Sequence, residues 1–184
     1  MIDKKFENPW KKKSSKDIYD NAWIKVIEDQ VIRPNGSDGL YGKVLFKNKA
    51  IGILPLDDQN NTWLVGQFRY TLDEYSWEIP TGGGPQHETP EESALRELRE
   101  ETGLRANKLT NIHRIHTSNS VTDEEGFLFL AQELEEGETD FDDTEDLKIW
   151  KLPFEEAYQL VMENRISDAL SVAAILKVKC LLNL

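Results

Sequence analysis

Residues 82–104 read GGGPQHETPEESALRELREETGL, and their spacing decides how the rest of the chain is read. Thr89-Pro90-Glu91-Glu92 is a helix start: Thr89 can cap, Pro90 suits the first helical position, and Glu92 completes a capping box. Gly103 is placed to end the helix in a left-handed conformation. Between these marks Ala94, Leu95 and Leu98 recur at helical spacing and are expected to face a core. Glu97, Glu100 and Glu101 stand at i, i+3 and i+4, so their carboxylates share one face. Like charges in one patch repel, and a bound divalent cation reverses the sign of that energy. Hard oxygen ligands favour magnesium or manganese. A solvated acidic surface accounts for Glu91 and Glu92. It does not account for the three later glutamates, because the loop before the helix is specific too. Gly82-Gly83-Gly84-Pro85 follows the apolar-aromatic run Tyr75-Ser76-Trp77-Glu78-Ile79-Pro80. Glycines there let the backbone approach a metal or phosphate closely.

The same stretch fits G-x5-E-x7-R-E-U-x-E-E-x-G-U, where U is a bulky aliphatic residue. Gly82, Glu88, Arg96, Glu97, Glu100, Glu101 and Gly103 fill the fixed positions, and Leu98 and Leu104 the aliphatic ones. At average residue usage, the fixed positions alone have a chance probability on the order of 10⁻⁹. The pattern resembles the signature box of the Nudix hydrolases, which cleave nucleoside diphosphates linked to another group with the help of divalent metal ions. The resemblance implies that Mg²⁺, or Mn²⁺, is held by the backbone carbonyl of Thr81 and by Glu97, Glu100 and Glu101. It implies a structural role for Arg96, paired with Glu88 and Glu100 so that the glycine loop lies against the helix.

Composition sets outer bounds. A chain of 184 residues is sized for one compact domain plus a modest extension, and 39% hydrophobic residues suffice for a sizeable core. The net charge of −12 argues against nonspecific nucleic-acid binding, which needs a cationic surface. It leaves nucleotides open, since metals can supply positive charge. No apolar run is long enough for a membrane span or a signal peptide, so no membrane partner is expected. The single cysteine, Cys180, excludes an intramolecular disulfide and is expected to be a small core residue of an apolar C-terminal helix. A cytoplasmic location fits both features.

The expected fold is α/β. Residues 1–17 are polar and lysine-rich and read as a loose tail. Residues 18–33 and 40–47 flank the turn cluster Arg33-Pro34-Asn35-Gly36-Ser37-Asp38-Gly39 and read as a hairpin. Strands are expected at 50–56, 62–69, 77–79, 108–118, 126–133 and 147–152, and helices at 154–163 and 168–182. This order resembles the Nudix α/β/α sandwich, with a mixed sheet between helices, across residues 48–184. Residues 1–47 are expected to be an N-terminal tail and an antiparallel β-hairpin extension ahead of that domain. In the ADP-ribose and nucleoside diphosphate sugar branch of the family, such an extension builds a homodimer.

Further segments resemble that branch. Val65-Gly66-Gln67-Phe68-Arg69-Tyr70 is similar to a strand ending in a substrate-binding arginine, and Arg69 would offer a bidentate fork to diphosphate. Trp77 and Glu78, in Ser76-Trp77-Glu78-Ile79-Pro80, resemble the branch's entry to the box and are expected by that resemblance to bind substrate, and Ile166-Ser167-Asp168-Ala169 resembles the start of its last helix. ADP-ribose pyrophosphatases carry a proline sixteen residues after the last glycine of the box, where this chain has Asn119. The remainder of that loop, including Ser118 and Glu124, still fits a lining of the sugar or phosphate end. ADP-ribose and a GDP- or UDP-sugar are therefore equally credible substrates.

Glu133–Asp146 is an acidic loop that reads mostly as solvated. Within it, Asp143-Thr144-Glu145-Asp146-Leu147 resembles the branch's E-x-E-D-hydrophobic segment, with aspartate at the first position. By that match Glu145 is a metal ligand and Asp143 the general base, although the longer Glu145 can serve as both, and Glu100 is a further catalytic candidate. His87, His113 and His116 lack ligand spacing. The reaction implied is metal-dependent hydrolysis of a nucleoside diphosphate sugar to a nucleoside monophosphate and a sugar phosphate. The competing readings are a Nudix enzyme for nucleoside triphosphates or dinucleoside polyphosphates and a non-catalytic nucleotide-sugar sensor. An isomerase of allylic diphosphates would need a nucleophilic cysteine, for which Cys180 is no match.

Overall fold

A computed structural model of the chain describes residues 5–138 and 147–184, which divide into two compact units. One unit runs up to Lys47 and takes in Ser118–Glu124; the other holds Asn48–Thr117 and Glu125–Leu184.

The first unit is an antiparallel sheet of β1 (Lys11–Asp20), β2 (Ile24–Ile32) and β3 (Asp38–Phe46), in that order. The β2–β3 hairpin closes as its turn residues require. Arg33 N–H donates to Ser37 O at 2.8 Å, the Asn35 side chain accepts from Ser37 N–H at 3.0 Å, and Gly36 takes φ +85°. Ile27, Asp29 and Val31 are buried on alternate positions of β2, the two-residue period of a half-covered strand. β1 corrects the expectation of a loose tail: Lys11 pairs with Ile32 and Asp20 with Lys25 along a ladder. Every residue of β1 is exposed, so no apolar period marks it. Lysines are also what an edge strand carries to deter further pairing. The segment Ser118–Glu124 lies along β3: Val44 N–H donates to Val121 O at 2.9 Å, and Phe46 N–H to Asp123 Oδ1 at 2.8 Å.

The second unit has two sheets rather than the one expected. A four-stranded mixed sheet runs β7 (Thr81–Gly84), β4 (Lys49–Pro55), β9 (Gly126–Glu135), β8 (Arg105–Ile115), with β4 and β9 parallel. An antiparallel sheet runs β10 (Lys148–Pro153), β5 (Asn61–Arg69), β6 (Glu74–Glu78). Alternation along β4 and β9 splits the core. Ile51, Ile53, Phe129 and Ala131 join Ala94 and Leu98 of helix α1 (Pro90–Thr102) in one cluster. Leu54, Leu128 and Leu130 join α2 (Phe154–Met162) and α3 (Ala169–Leu182) in the other, through residues such as Phe154, Leu170, Ala174 and Val178. Helices thus cover both faces, as an α/β/α sandwich demands.

Three local expectations change. Leu95 is 42% exposed, because the buried stripe of α1 is Ser93, Ala94, Leu98, Glu101 and Thr102. Cys180 is exposed. It lies two residues past buried Val178, which turns it about 200° around the helix from the stripe that packs. β7 is a glycine strand with no propensity signal, and it forms because Gly82 and Gly83 pair with Ile51 and Ala50. No helix among the described residues is long and apolar enough to cross a membrane.

Candidate active site

The site is built on α1 and on the glycine strand before it. Thr89 accepts from Glu92 N–H at 3.2 Å, and the Glu92 carboxylate accepts from Thr89 N–H at 2.8 Å, which closes the capping box. Gly103 ends the helix at φ +73° with its N–H donating to Arg99 O at 2.8 Å, and a Cβ there would lie 2.5 Å from Gly137 O. With both ends set, Glu97 and Glu101 meet β7 at Gly82 and the Thr81 amide, and Glu100 joins them through Arg96.

Gly82 is glycine because Glu97 needs its space. A Cβ on Gly82 would sit 1.9 Å from Glu97 Cδ, so the carboxylate lies directly against the backbone of the loop. Glu101 is only 3% exposed and accepts from Thr81 N–H at 2.9 Å. Arg96 ties the pieces together. Its Nη1 donates to Glu97 at 2.7 Å and Glu100 at 2.9 Å, and its Nη2 donates to Gly83 O at 2.9 Å and Glu88 at 3.2 Å. The expected pairing of Arg96 with Glu88 and Glu100 is present, and Glu97 and the glycine strand join it. Burial works against the charge of Arg96, but hydrogen bonds to Glu97, Glu88 and Glu100 and the field of Glu97 outweigh it and raise its pKa above the ordinary guanidinium value. Glu88 is held below the usual carboxylate range by the Ser93 hydroxyl at 2.8 Å and then by Arg96.

The cation between Glu97 and Glu100 is thus the Arg96 guanidinium. Among the described residues no three His, Cys, Asp or Glu side chains converge as a ready-made metal cage. The donor chemistry nevertheless suits a hard divalent ion. It consists of carboxylates at i, i+3 and i+4, one pressed on the Gly82 backbone and one buried on the Thr81 amide.

Arg69 ends β5 and folds back along β6. Its Nε donates to Glu78 Oε1 at 2.8 Å, its Nη2 to Glu78 Oε2, and Nη2 lies 3.4 Å from Thr81 Oγ1. Glu78 is 4% exposed. Trp77, half-buried, packs edge-on between Tyr75 at 5.7 Å and Trp150 at 5.3 Å. Ser118 and Glu124 belong to the segment along β3, where Ser118 O accepts from Val121 and Thr122 N–H at 3.1 and 2.9 Å. Asp143 and Glu145 lie outside the described residues. Sequence reasoning did not single out Ser93 or Ser171. Ser93 supports Glu88, and Ser171, fully buried, accepts from Ile79 N–H at 2.9 Å and donates to Asp168 at 2.7 Å. Their only signal was a small polar residue on a core-facing helical stripe.

A family model described as the NUDIX domain matches residues 47–172. The chain is a member of the Nudix family. A second model, the N-terminal domain of nucleoside diphosphate sugar hydrolases, matches residues 10–44 ahead of the Nudix domain. The ADP-ribose pyrophosphatase of Bacillus subtilis (strain 168) is 34% identical over 160 residues, covering 86% of each chain. The ADP-ribose pyrophosphatase of Mycobacterium tuberculosis is 31% identical over 173 residues, covering 90% of this chain and 81% of its own. The methanol dehydrogenase activator of Bacillus methanolicus is 30% identical, with 86% of each chain covered. A crystal structure of an ADP compounds hydrolase shares the Nudix fold with a TM-score of 0.86 at 22% identity, over 98% of this chain and 97% of its own.

Proposed function

We infer that the chain hydrolyses the diphosphate bond of a nucleoside diphosphate sugar, releasing a nucleoside monophosphate and a sugar phosphate. The observation that carries this reading is the pairing of an intact acidic box face with an N-terminal segment matching the nucleoside diphosphate sugar hydrolases. ADP-ribose is the first substrate to test, because relatives similar over most of this chain are ADP-ribose pyrophosphatases.

Glu97, Glu100, Glu101 and the Thr81 carbonyl would hold Mg²⁺ or Mn²⁺, joined by Glu145 from the acidic loop. Such an ion, when bound, neutralises diphosphate charge and lowers the pKa of water. The chain's own groups do the rest. Arg69 receives phosphate oxygens. Asp143 or Glu145 takes the proton of the attacking water, for which a carboxylate near the substrate is suited.

Incubating the protein with ADP-ribose and a panel of GDP- and UDP-sugars, with phosphatase-coupled phosphate release as the readout, tests the reaction. Turnover of at least one nucleotide sugar is expected, stopped by a chelator and restored by Mg²⁺ or Mn²⁺. Activity confined to nucleoside triphosphates would overturn it.

The two loop acids separate by their metal response. If Glu145 holds metal and Asp143 takes the proton, Glu145→Gln raises the Mg²⁺ requirement, while Asp143→Asn lowers kcat by about 10²-fold. The longer side chain reaches further, so Glu145→Gln is expected to be the more severe of the two. A pair of variants that both keep kcat within about tenfold of the parent places the base elsewhere, with Glu100 or Glu124 next.

The functional unit we propose is a homodimer built through residues 18–47. The first unit exposes Ile18, Tyr19, Trp23, Leu40 and Phe46, with Trp23 69% exposed. Such side chains on a small sheet suit a partner surface. Sedimentation should give twice the monomer mass at micromolar protein, and a monomer there would remove the dimer.

A further inference from the structure

The geometry points to Glu78 as a positioning residue that aims the Arg69 guanidinium, rather than as a group that itself touches substrate. This rests on the reading of Arg69 as the diphosphate-binding arginine. The carboxylate of Glu78 is almost fully buried and meets the Nε–Nη2 edge of Arg69 with both oxygens. A planar fork gripped along one edge by a buried carboxylate has one orientation, and its other edge is what remains for a ligand. Here that edge carries Nη1, which has no acceptor among the described residues, and the Arg69 side chain is 36% exposed. Glu78 is in no position to do the same for a substrate, since its oxygens face the arginine.

The hold on Glu78 comes from behind. The next residue, Ile79, is fully buried and donates its N–H to Ser171 Oγ at 2.9 Å. Ser171 is fixed by Asp168, the N-cap of α3, whose carboxylate accepts from both the Ser171 amide at 2.8 Å and its hydroxyl at 2.7 Å. The Ile166-Ser167-Asp168-Ala169 segment thereby gains a physical role: it pins the strand that carries Glu78. Toward the metal-binding face, Thr81 Oγ1 stands 3.4 Å from Arg69 Nη2 while Thr81 N–H donates to Glu101. The arginine and the acidic helix are held to one frame through residue 81.

Replacing Glu78 by glutamine keeps its shape but puts an NH₂ group or a single acceptor before a fork that offers two donors. Arg69 then loses its fixed direction and regains rotamer freedom. The test is a double-mutant cycle on ADP affinity, measured by calorimetry with Mg²⁺ present, alongside KM and kcat for ADP-ribose. Glu78→Gln and Arg69→Lys are each expected to weaken ADP binding by about tenfold, and the double variant to be no weaker than either single one. KM should rise with kcat less affected, and Glu78→Asp, which keeps the charge, should recover part of the affinity. Glu78→Asp also carries the test if the glutamine variant does not fold, with an affinity between those of the parent and Arg69→Lys. Tighter ADP binding by Glu78→Gln would overturn the proposal, since Glu78 would then only neutralise Arg69. Multiplying effects in the double variant would overturn it too. Coupled ADP binding without hydrolysis of any nucleotide sugar would support the aiming role and sink the proposed reaction, and Arg69→Lys binding ADP normally would sink the aiming role alone.

Discussion

Glu101→Gln is expected to lower kcat by about three orders of magnitude while the protein stays folded. Glu101 is 3% exposed and accepts the Thr81 amide at 2.9 Å. A glutamine oxygen can accept that same hydrogen bond, so the contact that orients the loop survives. What disappears is a negative charge on the acidic face proposed to hold a divalent ion. Thermal unfolding of the variant should match the parent within a few degrees, as expected when a change costs less than about 1 kcal/mol. Steady-state turnover at saturating Mg²⁺ is the deciding measurement. A near-normal kcat there would mean that the acidic face of α1 is not the metal site.

Gly82→Ala is expected to remove activity by about 10²-fold or more while the protein stays folded. The added Cβ would stand 1.9 Å from Glu97 Cδ, so the carboxylate has to leave. That carboxylate is the free end of a flexible side chain, and its departure breaks the 2.7 Å bond to Arg96. That pair is partly buried, with side chains 30% and 13% exposed, but Arg96 keeps Glu88, Glu100 and the Gly83 carbonyl, so the loss costs about 1–3 kcal/mol. Function should therefore fail well before the fold does. Circular dichroism melts and turnover measured on the same preparation separate the two. An alanine variant with parental kcat would show that the position of Glu97 against the loop is unimportant.

The box helix was legible because its information is local. Thr89, Pro90, Glu92 and Gly103 set both ends within a single stretch, and the helical period then places Glu97, Glu100 and Glu101 without reference to the rest of the chain. The apolar strands and the two C-terminal helices were legible from pattern for the same reason. β1 was not, because its ten residues are all exposed and are held by the backbone ladder and polar pairs such as Ser15–Asp29 and Asp17–Lys25, which leave no apolar period. β7 was not, because a glycine run has no strand preference until Ile51 and its neighbours pair with it. Leu95 and Cys180 show the limit of composition: an apolar residue on a helix points only where its turn allows. The grip of Glu78 on Arg69 depends on the register between β5 and β6, where Val65 lies opposite Glu78 and Arg69 opposite Glu74. Such a register is a tertiary outcome, and no motif in the chain carries it.

Arg96 supplies a resident counter-charge to the acidic face, bonded to Glu88, Glu97, Glu100 and the Gly83 carbonyl. Arg96 thereby holds Glu97 and Glu100 beside the glycine strand with the chain's own charge. A patch of glutamates held together only by incoming ions would make folding hostage to their concentration. Here part of that neutralisation is supplied by the chain itself, through the Arg96 bonds to Glu88, Glu97 and Glu100.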